Sequence, residues 1–222
     1  MVPRQPRLTL ALAALICGLA SSGCQHLPLL DLAAPSLGLG QASATPVTRA
    51  QVDAIPYASL LVRIGNNAPS FVVLSRYDHE TRHWMSANRV VLVTKSGRLV
   101  RTVGLPRDLR YTAGPQPDPL ENALHPLDGG AEREAVVDVS GPDEYNVGIK
   151  LHYAQEGPER ITIMDRPHDT VRIREDVTVP AWRWHTVNHY WVDAATGFVW
   201  KSEQAWCPEI PALEIEVLKR PA

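Results

Sequence analysis

The 222 residues carry 22 Lys and Arg against 24 Asp and Glu, a formal net charge of −2, with no basic run or stripe, so nucleic acid is excluded as the expected partner. Three cysteines are too few for a disulfide scaffold. The length suits one sizeable core rather than two.

The chain opens with Arg4 and Arg7, followed by an apolar run from Leu8 to Ala20. Thirteen residues are too few for a helix to cross a bilayer, which takes roughly 20, so residues 1–23 read as a cleaved signal peptide. Ser21-Ser22-Gly23 leads into Cys24. Small residues before a cysteine are what a lipoprotein peptidase requires, and Cys24 is the expected lipidation site. An ordinary secretory signal ahead of an unrelated cysteine is the competing reading. Gln25 follows Cys24, where aspartate would signal retention at the inner membrane. The expected location is therefore the periplasmic face of the outer membrane. Residues 24–50, rich in Ala, Ser, Pro, Gly and Leu, read as the lipidated cysteine and a flexible tether. Its leucines either fold back onto the domain or dock on a partner.

Residues 51–222 read as one β-rich domain. Thr48 with Gln51 three residues on resembles a capping box, and a short helix is expected up to Ile55, stopped by Pro56. Strands follow at 58–64, 70–76, 89–95 and 99–103, separated by the turn clusters Gly65-Asn66-Asn67 and Ser96-Gly97. From Tyr145 to Tyr153 the alternation directs Val147, Ile149, Leu151 and Tyr153 to one side. Further strands are expected at 135–139, 160–164, 171–179, 185–192, 198–205 and 213–218, with turns at Gly157-Pro158, Pro167 and Thr196-Gly197. Nothing resembles a long amphipathic helix, and 19 prolines point the same way. The expected fold is mainly β: coiled, twisted antiparallel sheets, barrel- or sandwich-like, with a short N-terminal helix. Residues 111–131, rich in proline and glycine, read as an exposed, mobile loop facing a partner.

No catalytic, metal or cofactor motif stands out. His185 and His189 share a strand face but lack a third ligand at metal-binding spacing. There is no Gly-x-Ser-x-Gly elbow and no phosphate-cradling loop. Glu175 and Asp176 read as outward charges on a strand, and Cys207 as a small buried hydrophobe. Trp182 and Trp184 would share a strand face near Asn188 and Trp191. Such aromatics either fill a β core or offer a platform for a sugar ring. Arg98 and Arg101 flank a hairpin, where they are either solvated or set to meet an acidic polysaccharide or a partner's carboxylates.

Three ordered motifs carry a resemblance. Ile55-Pro56-Tyr57-Ala58-Ser59 runs into Val62-Arg63-Ile64-Gly65. Trp84 and Ser86 precede Thr94-Lys95-Ser96-Gly97-Arg98-Leu99-Val100-Arg101-Thr102-Val103-Gly104-Leu105. Asn188-His189-Tyr190-Trp191-Val192-Asp193 is followed by Thr196-Gly197-Phe198-Val199-Trp200-Lys201-Ser202-Glu203-Gln204. Together they resemble the YjbF/GfcB family of bacterial lipoproteins, over residues 51–219. The resemblance implies a mainly β fold of twisted sheets and a non-catalytic accessory role in exopolysaccharide or capsule secretion. It also implies a large outer-membrane barrel protein and periplasmic proteins as partners. An acidic residue often follows the Trp-x-Ser motif in that family, where this chain has Asn88. The candidates for ligand or partner contact are Trp84, Arg98, Arg101, Trp182, Trp184, Asn188, Trp191 and Trp200. Two other functions stay open: a polysaccharide-modifying enzyme drawing on His185, His189, Asp193 and Glu203, and a lipid or lipoprotein carrier with an apolar cavity.

Overall fold

A computed structural model describes residues 47–114, 118–122, 132–141 and 144–221. The targeting segment, Cys24 and the tether up to residue 46 lie outside the described residues. So do 115–117 and 123–131 of the proline-rich stretch.

The helix α1 spans Arg49–Ala54, and its capping box is complete: the Thr48 hydroxyl accepts from Gln51 N while the Gln51 side chain accepts from Thr48 N. It therefore begins inside the stretch read as tether. Among the described residues no helix is long and apolar enough to cross a membrane. Twelve strands follow: β1 (Ser59–Ile64), β2 (Ser70–Asp78), β3 (Thr81–Ser86), β4 (Val91–Lys95), β5 (Arg98–Val103), β6 (Leu109–Ala113), β7 (Arg133–Val139), β8 (Val147–Ile163), β9 (Arg166–Val179), β10 (Trp184–Asp193), β11 (Val199–Gln204) and β12 (Leu213–Lys219). Single 3-10 turns lie at Pro119–Asn122 and Pro180–Trp182.

All twelve strands form one antiparallel sheet in the order β5-β4-β3-β2-β1-β12-β11-β10-β9-β8-β7-β6. The sheet curls until its end strands meet, giving a nearly closed barrel. The two ends are clasped by side chains. Asp108 accepts from Thr102 Oγ1, Gly104 N and Leu105 N, while Leu109 N donates to the Thr102 hydroxyl. Bringing sheet edges together in this way removes exposed edges that would otherwise template aggregation.

The barrel interior is the main core, with Leu60, Ile64, Val72, Leu92, Ile173 and Leu213 almost wholly buried. The expected alternation holds: Val147, Ile149, Leu151 and Tyr153 all point inward. A second, smaller cluster lies on the outer face, where Val52 of α1 packs with Ile163 and Leu218. Arg49 pins the helix there by donating to the carbonyls of Leu218, Ile163 and Met164. Cys207 is a free, buried thiol in the core, as its reading as a small hydrophobe expected. Burial pushes it up to about 11.

Four expectations need correction. The residues from Thr81 to Ser86 form a strand that no expected segment covered. Tyr111–Ala113 belongs to β6, so the segment read as a loop starts later. Asp118 and Leu120, inside that segment, are buried against the core rather than exposed. The turns expected at Gly157-Pro158 and Pro167 are absent, because β8 and β9 run through them as one long hairpin that turns at Met164-Asp165.

Candidate functional site

Two places gather polar and aromatic side chains: the barrel interior and one mouth of the barrel. In the interior, Arg98 reaches inward from the start of β5. Val100 is the extra residue of a bulge between β4 and β5, and the broken alternation lets consecutive Arg98 and Leu99 both be buried. The Arg98 guanidinium forks onto Asp118, with Nε to Oδ2 at 2.6 Å and Nη2 to Oδ1 at 3.1 Å. Its Nη1 donates to Glu175 Oε1 at 2.6 Å and its Nη2 to the Tyr153 hydroxyl at 2.9 Å.

Glu175 is wholly buried, which corrects its reading as an outward charge. Oε1 accepts from Arg98 and Tyr153, and Oε2 accepts from Asn188 Nδ2 at 2.8 Å and Tyr190 OH at 3.0 Å. Four donors fill the acceptor sites of one carboxylate. Gln204 extends the network, accepting from Leu99 N and donating to the carbonyl of Gly97. Burial raises the Tyr153 hydroxyl, and burial likewise holds Tyr190 well above the usual range, so both stay protonated donors. For Arg98, burial works against the charge, but Glu175 and its neighbours outweigh it and the guanidinium stays firmly protonated. Two carboxylates thus share one guanidinium in a region of low dielectric, where every hydrogen bond counts for more than in water. A cavity of about 50 Å³ adjoins the network, well below the roughly 300 Å³ at which pockets for organic ligands begin. It does not supply the volume that a lipid carrier needs.

The mouth holds a cleft of about 220 Å³. Its lining includes Trp84, Arg82, Phe198, Trp200, Glu121 and Arg220. Trp84 is buried and donates its indole N–H to Thr94 Oγ1 at 2.9 Å. Trp200 sits where the β10–β11 register slips at a bulge, which turns its ring toward the barrel end and places it between the inner and outer clusters. The ring meets Phe198 edge-on at 5.0 Å, lies 3.9 Å from His168, and donates Nε1–H to Asp193 at 2.9 Å. Burial opposes ionisation of Asp193, but the hydrogen bonds from Trp200, Thr196 and Ala195 outweigh it and hold the carboxyl below its usual range.

The eight candidate residues do not converge on one site. Trp84 and Trp200 line the mouth. Arg98, Asn188 and Trp184 line the interior cavity, so Arg98 is not a solvated hairpin arginine. Arg101 is exposed on the outer face of β5. Trp182 lies in a 3-10 turn rather than on a strand beside Trp184, although the rings still approach to 6.4 Å. Trp191 is buried on the outer face under Lys201, whose Nζ is 5.2 Å from the ring centroid. His185, His189 and Asp193 occur at every fourth position of β10, strung along the strand rather than gathered. Only His189 and Glu203 approach, at 4.0 Å. Glu175 was detectable in the sequence, because it occupies the inward register of Ile173, Val177 and Val179. Arg82, Asp118 and Arg220 had no such signal.

The family model described as group 4 capsule polysaccharide lipoprotein GfcB, YjbF matches residues 17–218. The lipoprotein GfcB of Escherichia coli K12 is 30% identical over 171 residues, covering 76% of this chain and 79% of that protein. The lipoprotein YjbF of the same organism is 26% identical over 165 residues, covering 71% and 73%. The crystal structure of the hypothetical lipoprotein YmcC from Escherichia coli K12 superposes with a TM-score of 0.72 at 29% identity, covering 79% of this chain and 90% of that one. With the family model matching most of the chain, a relative 30% identical over three quarters of it and the fold shared with a solved relative, the chain belongs to the YjbF family of group 4 capsule polysaccharide lipoproteins.

Proposed function

We propose that the protein is anchored by lipid at Cys24 to the periplasmic face of the outer membrane and serves as a non-catalytic accessory factor in exopolysaccharide or capsule secretion or assembly. The observation that carries this reading is the family match over residues 17–218, which spans the expected lipidation site and all but the last residue of the barrel. The interior chemistry supports a structural role over catalysis. Its most strongly perturbed groups, Arg98, Tyr153 and Tyr190, are committed to one another and to Glu175, leaving no open position for a reacting atom. The expected partners are an outer-membrane barrel protein and periplasmic proteins of the export system.

The test is a deletion strain complemented with wild type or Cys24→Ala, scored for surface polysaccharide and for fractionation of the protein. Wild type should restore polysaccharide and partition with the outer membrane, and Cys24→Ala should appear in the soluble periplasm. Unchanged surface polysaccharide in the deletion strain would sink the functional reading. Soluble wild-type protein would sink the anchor.

A further inference from the structure

We propose that the cleft at the barrel mouth binds a carboxylate-bearing monosaccharide unit, a uronate residue of an acidic polysaccharide. This deepens the reading above and rests on it for the source of the saccharide.

The charge pattern points to an anion. Glu121 lines the cleft but is tied to Lys95 at 2.7 Å, and Lys201 is held by Glu214 and Glu216. Arg82 and Arg220 also line it, and among the described residues neither has a carboxylate partner. Rings hold them instead. The Arg220 guanidinium carbon lies 4.4 Å from the Phe198 centroid and 5.5 Å from that of Trp200. The Arg82 guanidinium lies 5.5 Å from Tyr77, whose hydroxyl accepts from Nε at 3.0 Å. A guanidinium stacked on a ring uses its face and keeps its edge N–H groups directed outward. Among the described residues no hydrogen bond engages the Arg220 guanidinium, and at Arg82 only Nε is engaged, by the Tyr77 hydroxyl. A planar carboxylate is the anion that such forks fit with two parallel hydrogen bonds.

Size and remaining chemistry narrow the ligand. About 220 Å³ is less than a site for a drug-sized molecule, and it suits one sugar ring rather than several. Pro221 offers apolar surface to the C–H face of a pyranose, while Ser96 offers a hydroxyl partner in the same lining. A neutral hexose would leave both guanidinium groups unmatched. Inorganic phosphate would use them but leave the apolar wall bare.

The test is titration of the folded protein with oligogalacturonate, a neutral oligosaccharide of equal length, inorganic phosphate and anionic phospholipid vesicles, followed through the indole N–H resonances of Trp84 and Trp200. Saturable shifts with oligogalacturonate are expected, and weaker binding on the order of tenfold in Arg82→Gln and in Arg220→Gln, equivalent to one lost charge-assisted hydrogen bond. Arg220 is exposed and Arg82 half-buried, so both variants should keep the wild-type thermal transition. Arg101→Gln, on the outer face of β5, should bind like wild type. Equal binding of the neutral sugar, of phosphate or of the vesicles would overturn the proposal, as would unchanged affinity in the two variants. Absence of binding by a protein that still complements the deletion strain would overturn this site while leaving the accessory role standing.

Discussion

Arg98 is placed so that its removal leaves two buried carboxylates without a counter-charge, whereas removal of Asp118 leaves Arg98 and Glu175 as a one-to-one pair. Arg98→Ala should therefore cost about 3–5 kcal/mol, and Asp118→Ala about 1–3 kcal/mol. Denaturant unfolding measures both, and the reverse order would show that Asp118, not Arg98, organises the network. The raised tyrosines give a second expectation. Above about pH 10 an unfolded chain loses hydroxyl protons that burial makes Tyr153 and Tyr190 retain. The unfolded state then binds fewer protons than the folded one, so stability falls as pH rises. Each tyrosine contributes a slope that approaches about 1.4 kcal/mol per pH unit once the unfolded hydroxyl is fully ionised, and Tyr153→Phe should remove about 1 kcal/mol of the loss between pH 10 and 11. An unchanged slope in that variant would refute the assignment. Little of this network was legible in the sequence. Glu175 followed the alternation of its strand, but the inward turn of Arg98 depends on the extra residue Val100, and a bulge leaves no mark on a hydrophobic pattern.

At the scale of elements, strands with clean alternation or tight turns were readable, and those that needed a partner to explain them were not. Ser96-Gly97 makes the expected hairpin turn, with φ of 47° and 86°. The turn of the long β8–β9 hairpin uses Met164 and Asp165, at φ 45° and 67°; Asp165 alone is a usual turn residue, and without glycine or asparagine beside it the pair gives only a weak signal. Gly157 and Pro158 read as a break, yet the chain absorbs them. Gly157 takes φ +110° beside a register slip, and beyond Leu151 the described partner of β8 is β9 alone. An edge strand tolerates proline that a central strand would not. The two kinds of glycine can be separated by experiment. A Cβ on Gly97 would stand 2.5 Å from Val199 Cβ at φ +86°, whereas one on Gly148 meets nothing within 4 Å. Gly97→Ala should destabilise by more than about 1 kcal/mol, and Gly148→Ala should stabilise by roughly 0.4–1 kcal/mol. Chemical denaturation of both would test the contrast, and equal effects would contradict the packing of the β4–β5 turn against β11.

For the molecule as a whole, the decisive pairing is the one that sequence patterns signal least. β1 and β12 lie near opposite ends of the described domain, yet Ser59 pairs with Lys219 and Ile64 with Leu213. This ladder stands in the middle of the sheet order, joining β5 through β1 on one side to β12 through β6 on the other. Local propensity identified both segments as strands. Which strand pairs with which is set by the shared core and by closure, and the entropy of bringing distant segments together must be met before that pairing stabilises anything. The barrel should then behave as one cooperative unit whose integrity depends on its last strand. Leu213, Ile215 and Val217 all face the main core, and Leu218 on the opposite face packs with Val52 of α1. A chain ending at Pro211 would lose these contacts together, expose two central edges and open the main core. It should show no cooperative thermal transition and should bind a hydrophobic dye. A chain ending at Lys219 keeps the whole ladder and should unfold within about 0.5 kcal/mol of wild type. A cooperative, dye-free transition in the shorter chain would mean that the two halves of the sheet fold independently, and the single closed barrel would then be the wrong description of how this sequence is stabilised.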